Sequence, residues 1–156
     1  KLTPLQMANL AAILANGGFY YEPHFVKSIG DQGPLDRFTE KKKTMVDKEH
    51  FGCVQEGMRR VVNEPGGTAR RARIHDIEVA GKTGTAQNPH GEDHSVFIAF
   101  APYKNPKIAI AVFVENAGFG GTWAAPIASL MIEKYLKGEI EDQRKEKRIL
   151  ESEIIK

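Results

Sequence analysis

Lys82, Thr83 and Thr85 set one ammonium and two hydroxyls along a short run, Glu78-Val79-Ala80-Gly81-Lys82-Thr83-Gly84-Thr85-Ala86-Gln87. Val79 and Ala80 begin a buried stretch, so the run reads as a strand that carries chemistry on its surface. Side chains alternate faces in a strand, which points Thr83 and Thr85 the same way. Gly81 and Gly84 remove bulk, so that a ligand or a second backbone can come close. Two hydroxyls and an ammonium beside open backbone form a cradle for an anionic group such as a carboxylate.

Gly81-Lys82-Thr83 also resembles the end of a phosphate-binding P-loop. That motif needs a glycine five residues before Gly81, where Asp76 stands, and a helix directly after it. Asn88-Pro89 and Gly91 predict a loop instead, so a nucleotide site is rejected. His90, Glu92, Asp93 and His94 hold metal-ligand atom types. Their segment does not read as a helix, so the spacing of four between the histidines gives no shared face, and no metal is expected. His94, beside the next strand, is instead a candidate for orienting a neighbour by hydrogen bonding.

A nucleophile is harder to find. The chain has four serines, Ser28, Ser95, Ser129 and Ser152. None has lysine three positions later or asparagine two positions later, and no nucleophile-elbow glycines flank any of them. Cys53 has no base partner in view, and as the single cysteine it excludes an internal disulfide.

The elements that would position the Lys82 run can be read in order. Thr3-Pro4-Leu5-Gln6 starts a helix with a capping box and proline at the first helical position. That helix is apolar nearly all round, so it is expected to be buried, and Asn16-Gly17-Gly18 ends it. Phe19 to Ile29 is strand-like but interrupted by Pro23. Gly30 to Lys43 reads as a polar surface hairpin or loop whose Lys41-Lys42-Lys43 run is a solvated face. Asp47 to Asn63 is an amphipathic helix with Phe51, Val54, Met58, Val61 and Val62 at helical spacing. A breaker at Glu64-Pro65-Gly66-Gly67 leads into a short helix through Arg70-Arg71. Arg70, Arg71 and Arg73 read as surface residues, with anion steering as the alternative.

Ile77 to Gln87, Ser95 to Ala101 and Lys107 to Glu115 are three strands joined by short connections, which favours an antiparallel meander. Their continuous apolar runs imply helices on both faces of at least part of the sheet. After a glycine-rich loop, Asn116 to Gly121, Thr122 is expected to cap a helix from Trp123 to Lys137 that stops at Gly138. Residues 139–156 are dense in charge and read as a solvated helix or a disordered tail. The fold class is α/β (α+β), an antiparallel sheet flanked by helices, with a domain over 1–138 and a charged tail over 139–156.

A chain of 156 residues with 22 basic and 20 acidic side chains carries a net charge of +2. The basic residues do not interleave with aromatics as a nucleic-acid platform would, so no nucleic acid is expected as a partner. No signal peptide and no apolar run of about 18 residues is visible, so no membrane contact is expected from these residues themselves. The capped helix at Thr3 has no lead-in, which suggests a piece of a longer polypeptide.

Taken together, the motifs are recognisable. The chain resembles the C-terminal part of the transpeptidase domain of class B penicillin-binding proteins, of the penicillin-binding protein 2 type. The resemblance rests on Thr3-Pro4-Leu5-Gln6-Met7-Ala8, Gly67-Thr68-Ala69, Lys82-Thr83-Gly84-Thr85-Ala86-Gln87, Asp93-His94, Ala99-Phe100-Ala101-Pro102-Tyr103, Glu115-Asn116, Gly120-Gly121 and Ala124-Ala125-Pro126. Lys-Thr-Gly is the third sequence element of penicillin-binding proteins and serine β-lactamases. No single piece is specific; their order from 3 to 126 is.

The resemblance implies the C-terminal half of a β-lactamase/transpeptidase-like fold and a serine D,D-transpeptidase. In that family a serine attacks the penultimate D-alanine carbonyl of a peptidoglycan stem peptide, D-alanine leaves, and a neighbouring stem's amine resolves the acyl-enzyme. β-Lactam antibiotics acylate the same serine. The implied catalytic groups here are Lys82, as a proton-relay partner, and the backbone N–H of Thr85, as an oxyanion donor. Lys82, Thr83, Gly84 and Thr85 would bind substrate, with His94 behind them. No cofactor is implied. The S-x-x-K and S-x-N elements lie upstream in the family, so the chain alone is expected to be inactive. Family resemblance also implies an elongation-machinery glycosyltransferase partner, and a location on the outer face of the cytoplasmic membrane through an upstream anchor. Two alternatives are a β-lactamase or β-lactam sensor, which shares the strand motif, and a non-catalytic cell-wall scaffold.

Overall fold

A computed structural model describes residues 2–31 and 33–153. The first helix, α1 (Pro4–Ala15), starts as its sequence predicts. The Gln6 N–H donates to Thr3 Oγ1 at 3.3 Å, and the Thr3 N–H donates back to Gln6 Oε1 at 2.8 Å. Its burial differs from expectation. Ala11 is fully buried, but Leu5 and Leu10 are 37% and 40% exposed. Helix α1 rests on the sheet by one side, with Leu14 and Ala15 against the cluster of Met58, Ala80 and Phe100. Among the described residues, nothing covers its other side.

The strand-like stretch after α1 is shorter than its sequence suggests. Its ladder among the described residues is β1 (Phe19–Tyr20), antiparallel to β2 (Lys42–Lys43), and the chain leaves that ladder before Pro23, which has no N–H to donate. Between them lies a loop with one short helix, α2 (Asp36–Thr39). Helix α3 (Glu49–Asn63) buries Phe51, Met58 and Val62, while Val54 and Cys53 are exposed.

The three-stranded sheet is the expected antiparallel meander. It consists of β3 (Ala80–Ala86), β4 (His94–Ala101) and β5 (Ile108–Val114), in that order. Strand β3 begins later than expected, because Ile77 folds back to bridge Ile74 around Asp76, whose φ is +64°. Helices cover both faces. The helix α4 (Ala124–Lys137) packs Ala124, Ala125, Ala128 and Ile132 against Phe97, Ala99, Ile110 and Val112, and α1 lies on the opposite face. The tail is helical: α5 (Gln143–Leu150) is capped by Asp142, whose side chain accepts from the Lys145 N–H at 3.0 Å. No described helix is long and apolar enough to cross a membrane.

Helix α3 is tied to the start of β3 by charge. The Arg59 guanidinium reaches Glu56 at 2.8 Å, Glu64 at 3.1 Å and Glu78 at 3.4 Å, and Arg60 reaches Glu56 at 2.8 Å. Asn63 Nδ2 donates to the Val79 carbonyl at 2.8 Å. Hydrogen bonds from Arg59 and Arg60 hold the Glu56 carboxyl well down, from the ordinary 4.5 to about 2. A carboxylate depressed in the folded state stabilises fully above its ordinary value and loses that contribution as pH falls towards the folded value. We expect the melting temperature to drop between pH 4.5 and 2, and Glu56→Gln to flatten that drop; thermal melts across the range read both.

The open side of α1 also has a consequence in solution. Leu2, Leu5 and Leu10 are exposed large hydrophobics in or beside α1, and apolar surface of this kind drives association. The 156 residues expressed by themselves should elute as dimers or larger from a sizing column, and Leu5→Lys with Leu10→Lys should shift them towards monomer. A clean monomer of the unaltered chain at high concentration would count against this.

Candidate active site

Strand β3 places its chemistry on two faces. Thr83 and Thr85 stand opposite Phe97 and Ser95 of β4, on the side covered by α4. Both line an open cleft of about 470 Å³. Lys82 stands opposite Ile98 and projects from the other face, where its Nζ donates to the Thr83 carbonyl at 2.8 Å. The two threonines and the lysine are therefore adjacent in sequence but not gathered on one surface.

The cleft is completed by residues from two distant segments. Gly67, Thr68, Arg70 and Arg71 form one wall and Phe119, Gly120, Gly121 and Thr122 the other. The Thr68 and Thr83 hydroxyls are 3.0 Å apart and share a hydrogen bond. Arg70 and Arg71, read from sequence as surface side chains, border this hydroxyl cluster, and neither is in a salt bridge among the described residues. The wall they belong to is a 3₁₀ turn, Arg70–Ala72, anchored by fully buried Ala69 and Ala72. The Gly67-Thr68-Ala69 motif is visible in the sequence; the meeting of Thr68 with Thr83 is not. A span of 15 residues separates them, and only the return of β3 beside the turn brings them together.

The other wall is pressed onto the sheet backbone. A Cβ at Gly120 would fall on the Val96 and Gly84 carbonyl oxygens, and one at Gly121 on the Thr68 carbonyl. Only glycine permits this approach. Gly84 contributes its backbone to this contact, and a Cβ there would meet only the Val96 side chain at ordinary contact distance. Gly81 serves the core instead: it is buried, and a side chain there would strike the Phe97 ring.

Thr122 does not cap α4 as expected. The first helical residue, Ala124, donates its N–H to Ser95 Oγ at 3.0 Å, and the same hydroxyl donates to the Phe119 carbonyl at 3.0 Å. Trp123, at the cap position, makes no side-chain capping bond. A hydroxyl on β4, directly opposite Thr85, does the work that local sequence assigns to Thr122. His94 orients the same loop from its other end. Its Nδ1 accepts the Asn116 N–H at 3.1 Å, which makes that nitrogen unprotonated, and its ring tilts on Phe113.

None of the serines lines the cleft. Ser95 and Ser129 are fully buried, and Ser129 donates to the Pro126 carbonyl at 2.8 Å. Ser28 sits on the loop after β1, and Ser152 follows α5 and bonds the Arg148 carbonyl. The ligand-type atoms near Asn88 are engaged separately: Asp93 Oδ1 accepts the Asn88 N–H, and His94 holds Asn116. Among the described residues, no three His, Cys, Asp or Glu side chains converge as a metal site would require.

Residues 1–133 match the penicillin binding protein transpeptidase domain family. The chain belongs to that family. It is 37% identical to the peptidoglycan D,D-transpeptidase MrdA of Haemophilus influenzae, over 86% of this chain and 24% of the relative. The crystal structure of Pseudomonas aeruginosa PBP2 in complex with WCK 5153 superposes with a TM-score of 0.77 at 35% identity, over 91% of this chain and 32% of that one. Penicillin-binding protein A of Mycobacterium tuberculosis, as a ceftriaxone acyl-enzyme, gives 0.71 at 36% identity, over 86% and 32%. The chain therefore spans about a quarter to a third of the length of these relatives. The transpeptidase-family match ends inside α4, and α5 lies beyond it.

The Ser95 bridge is testable without substrate. Ser95→Ala leaves a buried Ala124 N–H and the Phe119 carbonyl without their shared partner. Removing such a partner typically costs about 1–3 kcal/mol. Urea denaturation should show a loss of that size, and a change within error would mean that the loop is held by other contacts.

Proposed function

We propose that this chain forms the carboxylate-recognising half of a serine D,D-transpeptidase site that also accepts β-lactams. One observation carries the reading. The Thr68, Thr83 and Thr85 hydroxyls and the guanidiniums of Arg70 and Arg71, in no salt bridge among the described residues, line one cleft beside an edge of β3 that likewise has no described partner strand. An extended peptide can lie along such an edge by strand addition. Its terminal carboxylate would then accept hydrogen bonds from Thr83 and Thr85, with Arg70 and Arg71 supplying positive potential. Charge-assisted bonds of this type are the strong ones.

In this reading the reacting carbonyl belongs to the penultimate D-alanine of a stem peptide. A serine from another part of the longer protein attacks it, D-alanine leaves, and a second stem's amine takes the acyl group. The Thr85 N–H is one of two oxyanion donors, a contribution typically worth about 2.7–4 kcal/mol. Lys82 works from the other face of β3, as a proton-relay partner to groups that approach there. Gly120, bare of a Cβ, lets its loop close the cleft against the Gly84 backbone. Residues 1–138 make up the catalytic portion, and 139–156 form a charged C-terminal segment beyond it. Peptidoglycan places the site outside the cytoplasm, on the outer face of the membrane. A glycosyltransferase of the elongation machinery is the partner implied by family resemblance.

Intact mass after incubation with a penicillin tests the reading, with this chain, the longer protein that carries it, and a Lys82→Ala version of the longer protein run side by side. An adduct should form on the longer protein only. Loss of a proton-transfer partner should slow it by about 10²–10⁴-fold in Lys82→Ala. An adduct on the isolated chain would place a reactive nucleophile among its own residues. No adduct on any of them would overturn the transpeptidase reading in favour of a scaffold.

A further inference from the structure

The helix α5 lies outside the family match, yet it is not a solvated appendage. The Lys145 side chain is only 15% exposed. Its ammonium has three donors, and the structure offers an acceptor for each. The Arg73 carbonyl lies at 2.9 Å, Ser129 Oγ at 3.2 Å and Asp142 Oδ2 at 3.3 Å. A partly desolvated ammonium is costly unless it is matched in this way, so Lys145 works as a plug rather than as a surface charge. The segment before it is tied down as well: Lys137 bridges Glu133 at 3.6 Å and Glu141 at 2.6 Å. One turn after Lys145, the Arg148 guanidinium lies over the Trp123 ring, 5.6 Å from its centroid.

These attachments lead to both walls of the cleft. Arg73 follows directly on the turn that carries Arg70 and Arg71. Trp123 follows directly on the Gly120-Gly121-Thr122 wall. Ser129 belongs to α4, the helix whose first residue is pinned by Ser95. We propose that α5 is a strut that sets the spacing of the two walls from behind, with Lys145 and Arg148 as positioning residues. As a consequence for function, which rests on the transpeptidase reading, the strut governs how tightly the cleft holds a ligand carboxylate and leaves the acyl-transfer chemistry to other groups.

The test uses the longer protein in four forms: unaltered, Lys145→Met, Arg148→Ala, and Lys147→Ala as a control on the exposed side of α5. Arg148→Ala guards against a Lys145→Met that fails to fold. Hydrogen exchange by mass spectrometry reads the walls directly. In Lys145→Met, amides of 69–73 should exchange about tenfold faster, with β4 unchanged, because the loss of hydrogen bonds to a charged group acts locally. Arg148→Ala should affect 119–124 alone. Acylation by a fluorescent penicillin, followed over a concentration series, should show about tenfold weaker binding before acylation and an unchanged limiting rate. Lys147→Ala should match the unaltered protein in both assays.

Unchanged exchange in both walls would overturn the strut. So would equal acceleration in β4, which would make α5 a general stabiliser, and so would a fall in the limiting rate with binding unchanged. If the unaltered protein takes no penicillin while the walls still loosen selectively, the strut stands and the transpeptidase reading fails.

Discussion

The site depends on a contact between backbones. The loop from Asn116 to Trp123 lies so close to the sheet that Gly120 rests on the carbonyls of Val96 and Gly84, and Gly121 on that of Thr68. Three segments from separate parts of the chain meet there without intervening side chains. Such proximity leaves no slack, since protein interiors transmit displacement rather than absorbing it. The Ser95 hydroxyl locks the arrangement by serving the loop and the first turn of α4 at once. The width of the cleft and the direction of α4 are thus set by the same few atoms.

Charge acts on a second level, by holding elements in register rather than by reacting. The Arg59 and Arg60 network joins α3 to the lead-in of β3, and Tyr103 adds a hydrogen bond to Glu56 at 3.3 Å. Burial and the nearby Glu56 charge push the Tyr103 hydroxyl up from its ordinary value of 10. These groups lie at one end of β3 and the cleft at the other. The strand between them is a rigid rod, so fixing its start fixes where Thr83 and Thr85 stand. In contrast, Arg70 and Arg71 at the cleft have no carboxylate partner among the described residues.

Family membership and geometry answer different questions. The match over residues 1–133 shows what kind of domain this is. Geometry adds that the recognised triplet divides its labour across the strand, with hydroxyls on one face and the ammonium on the other. It also shows an apolar helix, α1, with one side uncovered. The serines offer the same lesson. Two of them are structural, and the one nearest the site, Ser95, is a hinge pin rather than a nucleophile.

Several features were legible in the sequence because they are local. The capping box at Thr3, the stop at Gly138, the alternation that puts Thr83 beside Thr85, and the three short-linked strands each follow from backbone preferences over a few residues. The order of motifs was equally readable, since it is a property of the chain itself. The rest was decided only by tertiary structure. The periodicity of α1 shows that the helix is apolar, not what lies against it. Thr122 is the local candidate to cap α4, but a residue 29 positions from Ala124 supplies the hydroxyl. Thr68, Arg70 and Arg71 join Thr83 and Thr85, and Lys145 reaches Arg73, only once the sheet has closed the distance between them. Local sequence encodes conformation, whereas a site built from long-range contacts exists only after the loops between them have been folded away.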